Sequence, residues 1–550
     1  MIRRFDWALV AGTLALGLIA ASVGGALGAL LKTATGETEG LAAALHAVLS
    51  DAYLARVVRF TLWQALLSTV LAVGLAVPVA RALARRQEFP GRALLLNLFG
   101  LPLVVPGIVA VLGIVAVCGR NGLVNDALAI LGLPRALEIY GLTGILIAHV
   151  FFNLPLATRL LLNAWNNVPA ETWRLASQLG MDSGAIFRVI EWPLLRQALP
   201  GVAGLVFMLC VVSFTVVLTL GGGPAATTIE LAIYHALRFD FEPVRAAGLA
   251  LVQFALCGAL LAACHRLVRP MAMSATTGRW VGRPDLVSAA GRIFDFAVIA
   301  AAMLVVALPL GAVVAGGLAG PVAALLDDRV LWRALALSLG IGIAAAALAL
   351  MLGAGLLGAA RHLRRRMGLA SVAGGIEWSG AIILVVPPFV IGTGWFVLLH
   401  RQIDVFAVGP FIVIAINALM ALPYVMHGLA PALARADELH DRLCQSLGIL
   451  GWTRLRLIDW PLLRRPVGLA LALATALSFG DLGAIALFGN QDTTTLPLLL
   501  YQRLGSYRTD EAAVIALILA ALSLGLFALV ERGIGGAGPS GRGRGAHASA

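Results

Sequence analysis

The chain has 550 residues, of which 60% are apolar and 12% are charged, and its mean hydropathy is +0.94. A soluble globular protein does not need so much apolar surface, so this composition indicates a membrane protein. The net charge of +12 does not point to nucleic acid, because the arginines concentrate in alternate loops between apolar segments. We therefore expect no nucleic-acid partner.

Apolar segments long enough to span a bilayer recur along the whole chain. Only a backbone whose hydrogen bonds are closed internally persists in lipid, so each segment is expected to be a helix. The predicted fold is therefore an all-α polytopic membrane protein. The twelve predicted spans lie at about 7–31, 57–82, 94–118, 140–164, 197–221, 244–264, 293–316, 334–360, 378–400, 407–428, 466–488 and 511–531.

The chain consists of two related halves. The second predicted span ends in the basic run Arg81–Arg86, and the eighth ends alike in Arg361–Arg366. Six spans per repeat is an even number, so the sequence predicts a parallel repeat. The arginine excess in one set of loops predicts a multi-pass membrane protein with cytoplasmic N- and C-termini. The predicted divisions are a first repeat at 1–264, a cytoplasmic linker at 265–292, a second repeat at 293–531 and a disordered tail at 532–550.

One polar, arginine-containing stretch occurs twice, and every matched position is offset by 268 residues. Such a stretch cannot lie in hydrocarbon, so we expect both copies at the membrane face. Gly180 and Gly448 permit a chain reversal, and Pro193 and Pro461 suit the first turn of the helix that follows. The two copies are Arg174–Gly180 with Ile190–Arg196, and Arg442–Gly448 with Ile458–Arg464.

This spacing resembles the EAA coupling loop of permease subunits in bacterial ABC importers, in which Glu-Ala-Ala is followed by three residues, Gly, nine residues and Ile-x-Leu-Pro. Arg174 and Arg442 replace the glutamate, and Cys444 replaces the last alanine. We call residues 174–196 and 442–464 the first and second coupling segments. An unpartnered surface helix is the alternative, which the duplication disfavours. The resemblance implies docking on an ATPase through the matched positions Arg174, Ala176, Gly180, Ile190, Pro193, Arg442, Cys444, Gly448, Ile458 and Pro461.

The sequence carries no motif of an enzyme. A Walker A loop needs Gly-Lys-Ser/Thr, and the only lysine is Lys32, which follows Leu31. ATP hydrolysis would therefore take place on a separate subunit. The five cysteines form no Cys-x-x-Cys pair and are expected to be small buried apolar residues. We expect no catalytic residue, no cofactor and no metal site.

Four polar residues within predicted spans are candidates for a translocation path. Asp481 lies in the eleventh span, where a carboxylate in lipid costs at least ~2.5 kcal/mol and should face the bundle interior or a water-filled path. Its counterpart in the first half is Ser213. His149 and Asn153 lie four residues apart on one face of the fourth span. A structural hydrogen bond explains Asp481 equally well, and it explains His149 and Asn153 better.

Further stretches in both halves carry a second resemblance. They are Val58–Ala65, His149–Pro155, Leu220–Tyr234, Leu443–Gly448, Ala486–Asn490 and Tyr507–Arg508. On these stretches the chain is similar to the thiamine ABC transporter permease family. The resemblance implies a type I importer fold and the import of thiamine and its phosphate esters from a periplasmic thiamine-binding protein. It also implies two copies of a separate ATPase subunit beneath one fused permease chain in membrane lipid.

Two alternative functions stay open on the sequence. The same machinery could carry iron(III) or another small solute, since acids like Asp481 also occur in related iron(III) permeases. A more distant alternative is an ion-driven secondary transporter, which needs a relay of buried charges, whereas the spans offer little beyond Asp481. Thiamine uptake separates the first alternative from the main hypothesis, and co-purification with an ATPase separates the second.

Overall fold

The computed structural model describes residues 7–35, 51–134, 138–267, 283, 285, 289–383, 386–449 and 451–535. Most of the predicted linker lies outside these residues, as do the predicted tail from residue 536 onward and positions 36–50. Within them every regular element is helical, which confirms the predicted all-α fold.

The helices follow one another along the described parts of the chain. In the first half they are α1 (Trp7–Thr35), α2 (Ala52–Arg85), α3 (Arg92–Leu98), α4 (Gly107–Cys118), α5 (Leu123–Ile130), α6 (Leu142–Asn166), α7 (Ala170–Gln178), α8 (Ser183–Ile186), α9 (Trp192–Val211), α10 (Phe214–Leu220), α11 (Ile229–Arg238) and α12 (Pro243–Leu267). In the second half they are α13 (Ala289–Ala319), α14 (Val322–Leu326), α15 (Arg329–Arg366), α16 (Ala370–Ile382), α17 (Pro388–Leu399), α18 (Gly409–Ser446), α19 (Gly451–Arg454), α20 (Trp460–Phe479), α21 (Gly483–Phe488), α22 (Leu496–Gly505) and α23 (Thr509–Gly535).

The described chain packs into two compact units. The first unit contains the described residues of 30–322 together with Ser506–Leu517. The second unit contains the described residues up to Ala29, the segment Ala323–Gly505, and the described residues from Ile518 onward. Each unit therefore carries one of the two coupling segments.

The leading helix of each predicted repeat packs in the unit of the other repeat. In the second unit, Gly12 of α1 lies directly against Ala359 of α15. In the first unit, Gly113 of α4 lies directly against the carbonyl group of Pro309 in α13. Small residues let helix backbones approach closely, which is how helices pack where lipid supplies no hydrophobic drive. Sequence repeats and packing units thus differ by one exchanged helix each and by Ser506–Leu517, which packs in the first unit.

Eleven helices in the described part of the chain are long and apolar enough to cross a membrane. The predicted span at 378–400 is not among them, because it divides into α16 and α17. Pro387 and Pro388 stand at the start of α17, and proline lacks an N–H and clashes with the preceding turn. The predicted span at 94–118 is interrupted in the same way, with Pro106 immediately before α4.

Both units begin their second span in the same way. Asp51 and Asp328 cap α2 and α15 by accepting a hydrogen bond from the backbone N–H two residues on, at 2.8 and 2.9 Å. Ten residues later, the hydroxyls of Thr61 and Ser338 accept from the first backbone N–H of α11 and α22, at 3.1 and 2.8 Å. These bonds fix two short, non-spanning helices against the spans.

Candidate functional site

The first coupling segment reverses direction at Gly180, where the predicted bend is present. Gly180 has φ of 61°, the left-handed region that glycine enters without steric cost. The Met181 N–H donates to the Ala176 carbonyl at 3.0 Å, and the Gly180 N–H donates to the Ser177 carbonyl at 3.1 Å. This pair of bonds is a Schellman motif, which satisfies carbonyls at the end of α7.

A small apolar core holds the two arms of the first coupling segment together. Trp173 and Ala176 of α7 are buried with Ile186 of α8, and Met181 and Ile190 pack against them. Ala176 and Ile190, which match the coupling-loop pattern, therefore have a packing role. The matched Arg174, in contrast, is exposed.

The second coupling segment repeats this bend. Gly448 has φ of 63°, the Ile449 N–H donates to the Cys444 carbonyl at 2.9 Å, and the Gly448 N–H donates to the Gln445 carbonyl at 3.3 Å. Cys444 is fully buried, like the equivalent Ala176 in the first unit. The bend is thus preserved although the residues around it differ.

The two segments differ in how they join the preceding span. In the first unit Pro169 directly precedes α7, and the helix is broken between α6 and α7. Proline disfavours a helical conformation in the residue before it, which accounts for the break. The equivalent residue in the second unit is Asp437, and there α18 runs from span to bend without interruption.

Both segments then pass through a π-helical turn, at Phe187–Glu191 and Leu455–Asp459. The N–H groups of Trp192 and Trp460 donate to carbonyls five residues earlier, and Pro193 and Pro461 follow as the second residues of α9 and α20. In an unbroken α-helix the proline ring would clash with a carbonyl four residues back, and the wider turn relieves this clash. Single π turns are rare in proteins, and those that do occur often lie at functional sites.

Glu191, the last residue of the first π turn, is a fully buried acid with three donors. Arg81 Nε donates to its Oε2 at 2.7 Å, and Arg283 Nη2 donates to its Oε1 at 2.7 Å. The indole Nε1 of Trp165 donates to Oε1 at 3.2 Å. Arg81 also lies over the Phe187 ring, with its Cζ atom 5.1 Å from the centroid. The end of α2 is therefore fastened to the π turn.

Asp459 is the equivalent acid in the second unit, and it is 2% exposed. Arg361 of α15 donates to both of its oxygens, Nη1 to Oδ2 at 2.8 Å and Nη2 to Oδ1 at 3.0 Å. A bidentate fork of this kind is short, strong and fixed in orientation. Arg361 and Arg454 also donate to Asp437, each with a distance of 2.9 Å.

Two residues of the predicted linker belong to the site of the first unit. Arg283 is 6% exposed, and its Cζ atom lies 4.3 Å from the centroid of the Trp173 ring. It donates to both carboxylate oxygens of Asp285, at 3.0 and 3.1 Å. Burial alone would raise the pKa of Asp285, but the hydrogen bonds and charge of Arg283, with the charge of Arg85, hold that pKa below its usual value.

Sequence reasoning did not single out these buried acids. A signal was available, because Glu191 and Asp459 match at the same offset as the glycines, and Arg81 and Arg361 match in the two basic runs. The contribution of Arg283 had no such signal, since nothing in the second half aligns with the linker.

Among the translocation-path candidates, Asp481 is a helix cap. Its two carboxylate oxygens accept from the N–H groups of Gly483 and Ala484 at 3.1 and 3.0 Å, which starts α21 after the break that follows α20. The equivalent Ser213 precedes α10, and its side chain makes no capping hydrogen bond there. Both positions are half-buried, and both lie at a break in a spanning helix.

His149 and Asn153 make hydrogen bonds to neighbouring helices of the first unit. His149 Nδ1 lies 2.8 Å from Ser68 Oγ of α2, and Asn153 Nδ2 donates to Cys210 Sγ of α9 at 3.5 Å. Both side chains are buried. These contacts match the structural explanation for such residues, since polar side chains join membrane helices.

Comparison with known proteins identifies the family of this fold. The family "Binding-protein-dependent transport system inner membrane component" matches residues 372–532. The chain is 50% identical over 526 residues to the thiamine transport system permease protein ThiP of Brucella abortus, covering 95% of each chain. It is 47% identical over 488 residues to the protein of that name from Escherichia coli, covering 88% of this chain and 90% of the relative.

A weaker match joins the chain to a different transport system. The putative ferric transport system permease protein FbpB 1 of Haemophilus influenzae is 28% identical over 215 residues, which cover 38% of this chain and 33% of the relative. The two near-complete matches, together with the eleven apolar helices, describe a multi-pass inner-membrane transport component. The chain belongs to the family of the thiamine transport system permease proteins.

Proposed function

We propose that the chain is the permease subunit of an ATP-driven importer that moves thiamine and its phosphate esters from a periplasmic binding protein into the cytoplasm. The observation that supports thiamine as the substrate is the 50% identity to a thiamine transport permease over 95% of the chain. The paired coupling segments support the ATP drive. In this proposal both termini and both segments face the cytoplasm, in keeping with the arginine distribution.

The exposed face of each coupling segment fits a docking role. Leu175 and Leu179 are 55% and 68% exposed, and the matched Leu443 and Leu447 are 53% and 62% exposed. An amphipathic helix of this kind lays apolar anchors into a groove on a soluble partner. Two such faces on one chain fit two copies of an ABC ATPase subunit.

In the proposed mechanism, the coupling segments are rigid and move together with the ATPase subunits on which they dock. ATP binding closes the ATPase pair, and each docked coupling segment moves with its ATPase. The bends at Gly180 and Gly448 keep the docking helix at a fixed angle to the helix that continues into the membrane as α9 or α20. Motion of the segment then tilts the spans, and the permease changes from inward-open to outward-open.

A path residue must offer a polar group where a span is interrupted. Asp481 and Ser213 both stand at such interruptions, so we assign them to the translocation path. Thiamine carries a fixed positive charge, and a carboxylate at this position would favour it. His149 and Asn153 were the other two candidates, and their hydrogen bonds support a packing role instead.

Reconstitution tests this proposal. The chain is placed in proteoliposomes with its ATPase and the periplasmic binding protein, and uptake of labelled thiamine is measured with and without ATP. We expect ATP-dependent thiamine uptake that requires the binding protein. Iron(III) supplied with the same components is the second arm, chosen because of the ferric-type relative. ATP-dependent uptake of iron(III) without thiamine uptake would show that iron(III), and not thiamine, is the substrate.

A secondary transporter makes the opposite prediction on the energy source. It would accumulate substrate in response to an ion gradient with no ATPase present. In that case the exposed leucines of the coupling segments would have no partner. Co-purification of the chain with an ATPase subunit therefore supports the importer, and gradient-driven uptake by the chain alone contradicts it.

A further inference from the structure

A buried carboxylate joins each coupling segment to the end of a membrane helix. In the first unit Arg81, four residues before the end of α2, donates to Glu191 at 2.7 Å. In the second unit Arg361, five residues before the end of α15, donates to Asp459 at 2.8 and 3.0 Å. Both acids end a π turn. The same contact has thus been kept in two units whose surrounding residues differ.

The second unit builds its cluster from its own coupling segment. Arg454 donates to Asp441 at 2.7 Å and lies 3.6 Å from Asp459. The equivalent residue in the first unit is Ile186, which is fully buried in the small apolar core and cannot pair with an acid. The first coupling segment therefore lacks a guanidinium that the second one has.

The linker supplies that guanidinium. Arg283 lies over Trp173 and donates to Glu191, and these two residues are the equivalents of Asp441 and Asp459. Arg283 thus occupies, relative to the first coupling segment, the place that Arg454 occupies in the second. A guanidinium can pair with a carboxylate and also stack on an indole, which explains why a tryptophan can stand where the other unit has an acid.

A second linker residue extends the contact to a membrane helix. Asp285 lies 3.3 Å from Arg85 of α2, and Arg85 and Arg86 both pair with Asp295 of α13, at 3.4 and 2.9 Å. Asp285 and Asp295 are 7% and 2% exposed. Two linker residues therefore make ion pairs with different parts of the first unit: Arg283 with the coupling segment, and Asp285 with α2.

We propose that these two buried clusters are the joints through which the coupling segments move the spans, and that Arg283 completes the first joint. Glu191, Asp459 and Arg283 are positioning residues in this proposal, since they act through the spans and touch no substrate. The inference rests on the proposed function, because a joint needs an ATPase to drive it. Charge-assisted hydrogen bonds fix the orientation of the segment on the span, whereas apolar contacts are non-directional.

Four substitutions that each remove one charge test the joints: Glu191→Gln, Asp459→Asn, Arg283→Gln and Arg454→Gln. Glu377→Gln is the matched control, because it removes an ion pair with Arg364 at the same end of α15 whose side chains are 33% and 46% exposed. The readout is thiamine transported per ATP hydrolysed by the reconstituted complex. We expect this ratio to fall at least about fivefold in the four variants. The control is expected to keep the wild-type ratio.

A second readout does not depend on the substrate. A loosened joint frees the ATPase pair from the spans, so hydrolysis without binding protein and thiamine is expected to rise in the four variants. A residue that only stabilises the fold would lower hydrolysis and transport together and leave their ratio unchanged. The conservative exchanges Glu191→Asp and Asp459→Glu keep the negative charge, and each introduces the acid that the other unit carries at the equivalent position. Both variants are expected to retain most of the coupling ratio.

Each outcome decides one part of the proposal. Assembled Glu191→Gln and Asp459→Asn complexes with wild-type ratios and wild-type basal hydrolysis would overturn the joints. If the neutral variants do not assemble, Arg81→Lys and Arg361→Lys decide by the same two readouts, because they keep the charge but lose the Nε donor of Arg81 to Glu191 and the fork of Arg361 on Asp459. If only Arg283→Gln keeps the wild-type ratio of thiamine transported per ATP hydrolysed, the linker has no part in the joint. Absence of thiamine uptake by the wild-type complex contradicts the proposed function instead, and basal hydrolysis still reports on the joints.

Discussion

The left-handed bend at Gly180 gives a graded prediction for the series Gly180→Asn, Gly180→Ala and Gly180→Val. No heavy atom lies within 4 Å of a Cβ placed on Gly180, so steric contact with neighbours does not contribute. The cost comes only from holding a side chain at φ of 61°. Asparagine tolerates this region, alanine is strained, and a β-branched residue is strained most.

The magnitude follows from the backbone alone. A left-handed conformation costs an L-residue with a Cβ roughly 1–2 kcal/mol. That free energy lowers the population of the bent segment by a factor of roughly 5–30. Since the bend sets the angle between the docking helix and α9, we expect thiamine transported per ATP to fall in the order Asn, Ala, Val. Gly448, with φ of 63° and the same open surroundings, should give the same order.

The assay is the reconstituted complex, with uptake and ATP hydrolysis measured on one preparation. Gly374 of α16 is the control position, because a Cβ there also meets nothing within 4 Å and its φ is not positive. Gly374→Ala and Gly374→Val should therefore transport like the wild type. Equal coupling ratios for Gly180→Val and the wild type would refute the reasoning, because the most strained residue would then leave the bend without effect.

Three further predictions concern packing and the path. Gly12→Ala is expected to destabilise the purified protein by about 1–3 kcal/mol, since the added Cβ overlaps α15, whereas Gly17→Ala meets nothing within 4 Å and should leave the melting temperature unchanged. Thr61→Val leaves the buried Ile229 N–H without its acceptor, so the melting temperature should fall by an amount equivalent to about 1–3 kcal/mol, and Thr61→Ser should restore it. Asp481→Asn keeps one capping oxygen but loses the charge, and thiamine uptake should fall roughly tenfold with normal ATPase assembly; unchanged uptake would remove this residue from the path.

The geometry of the coupling segments was predictable because it is local. A glycine at the end of a helix needs only its sequence neighbours to form a Schellman motif, and both Gly180 and Gly448 do so. The division of the predicted span at 378–400 was also within reach, because Pro387–Pro388 is visible in the sequence. The prediction of a single helix at 378–400 considered only the apolar content of this stretch.

The buried joints were not predictable in the same way. Arg81 and Glu191 are separated by 110 residues, and their pairing depends on how α2 packs against the π turn. The two basic runs and the two acids also align at different offsets, so no single alignment of the halves reveals the pair. The helix exchange that places α1 in the second unit has no local sequence signal at all, since any apolar helix of that length could pack on either side.

The central claim is that an ATPase drives transport through the coupling segments. The most direct measurement is thiamine uptake into proteoliposomes that contain the chain and its binding protein, with ATPase subunits and ATP either both present or both withheld. The account predicts accumulation against a gradient only when both are present, and less thiamine transported per ATP with Gly180→Val than with the wild type. Accumulation by the chain without any ATPase would contradict it.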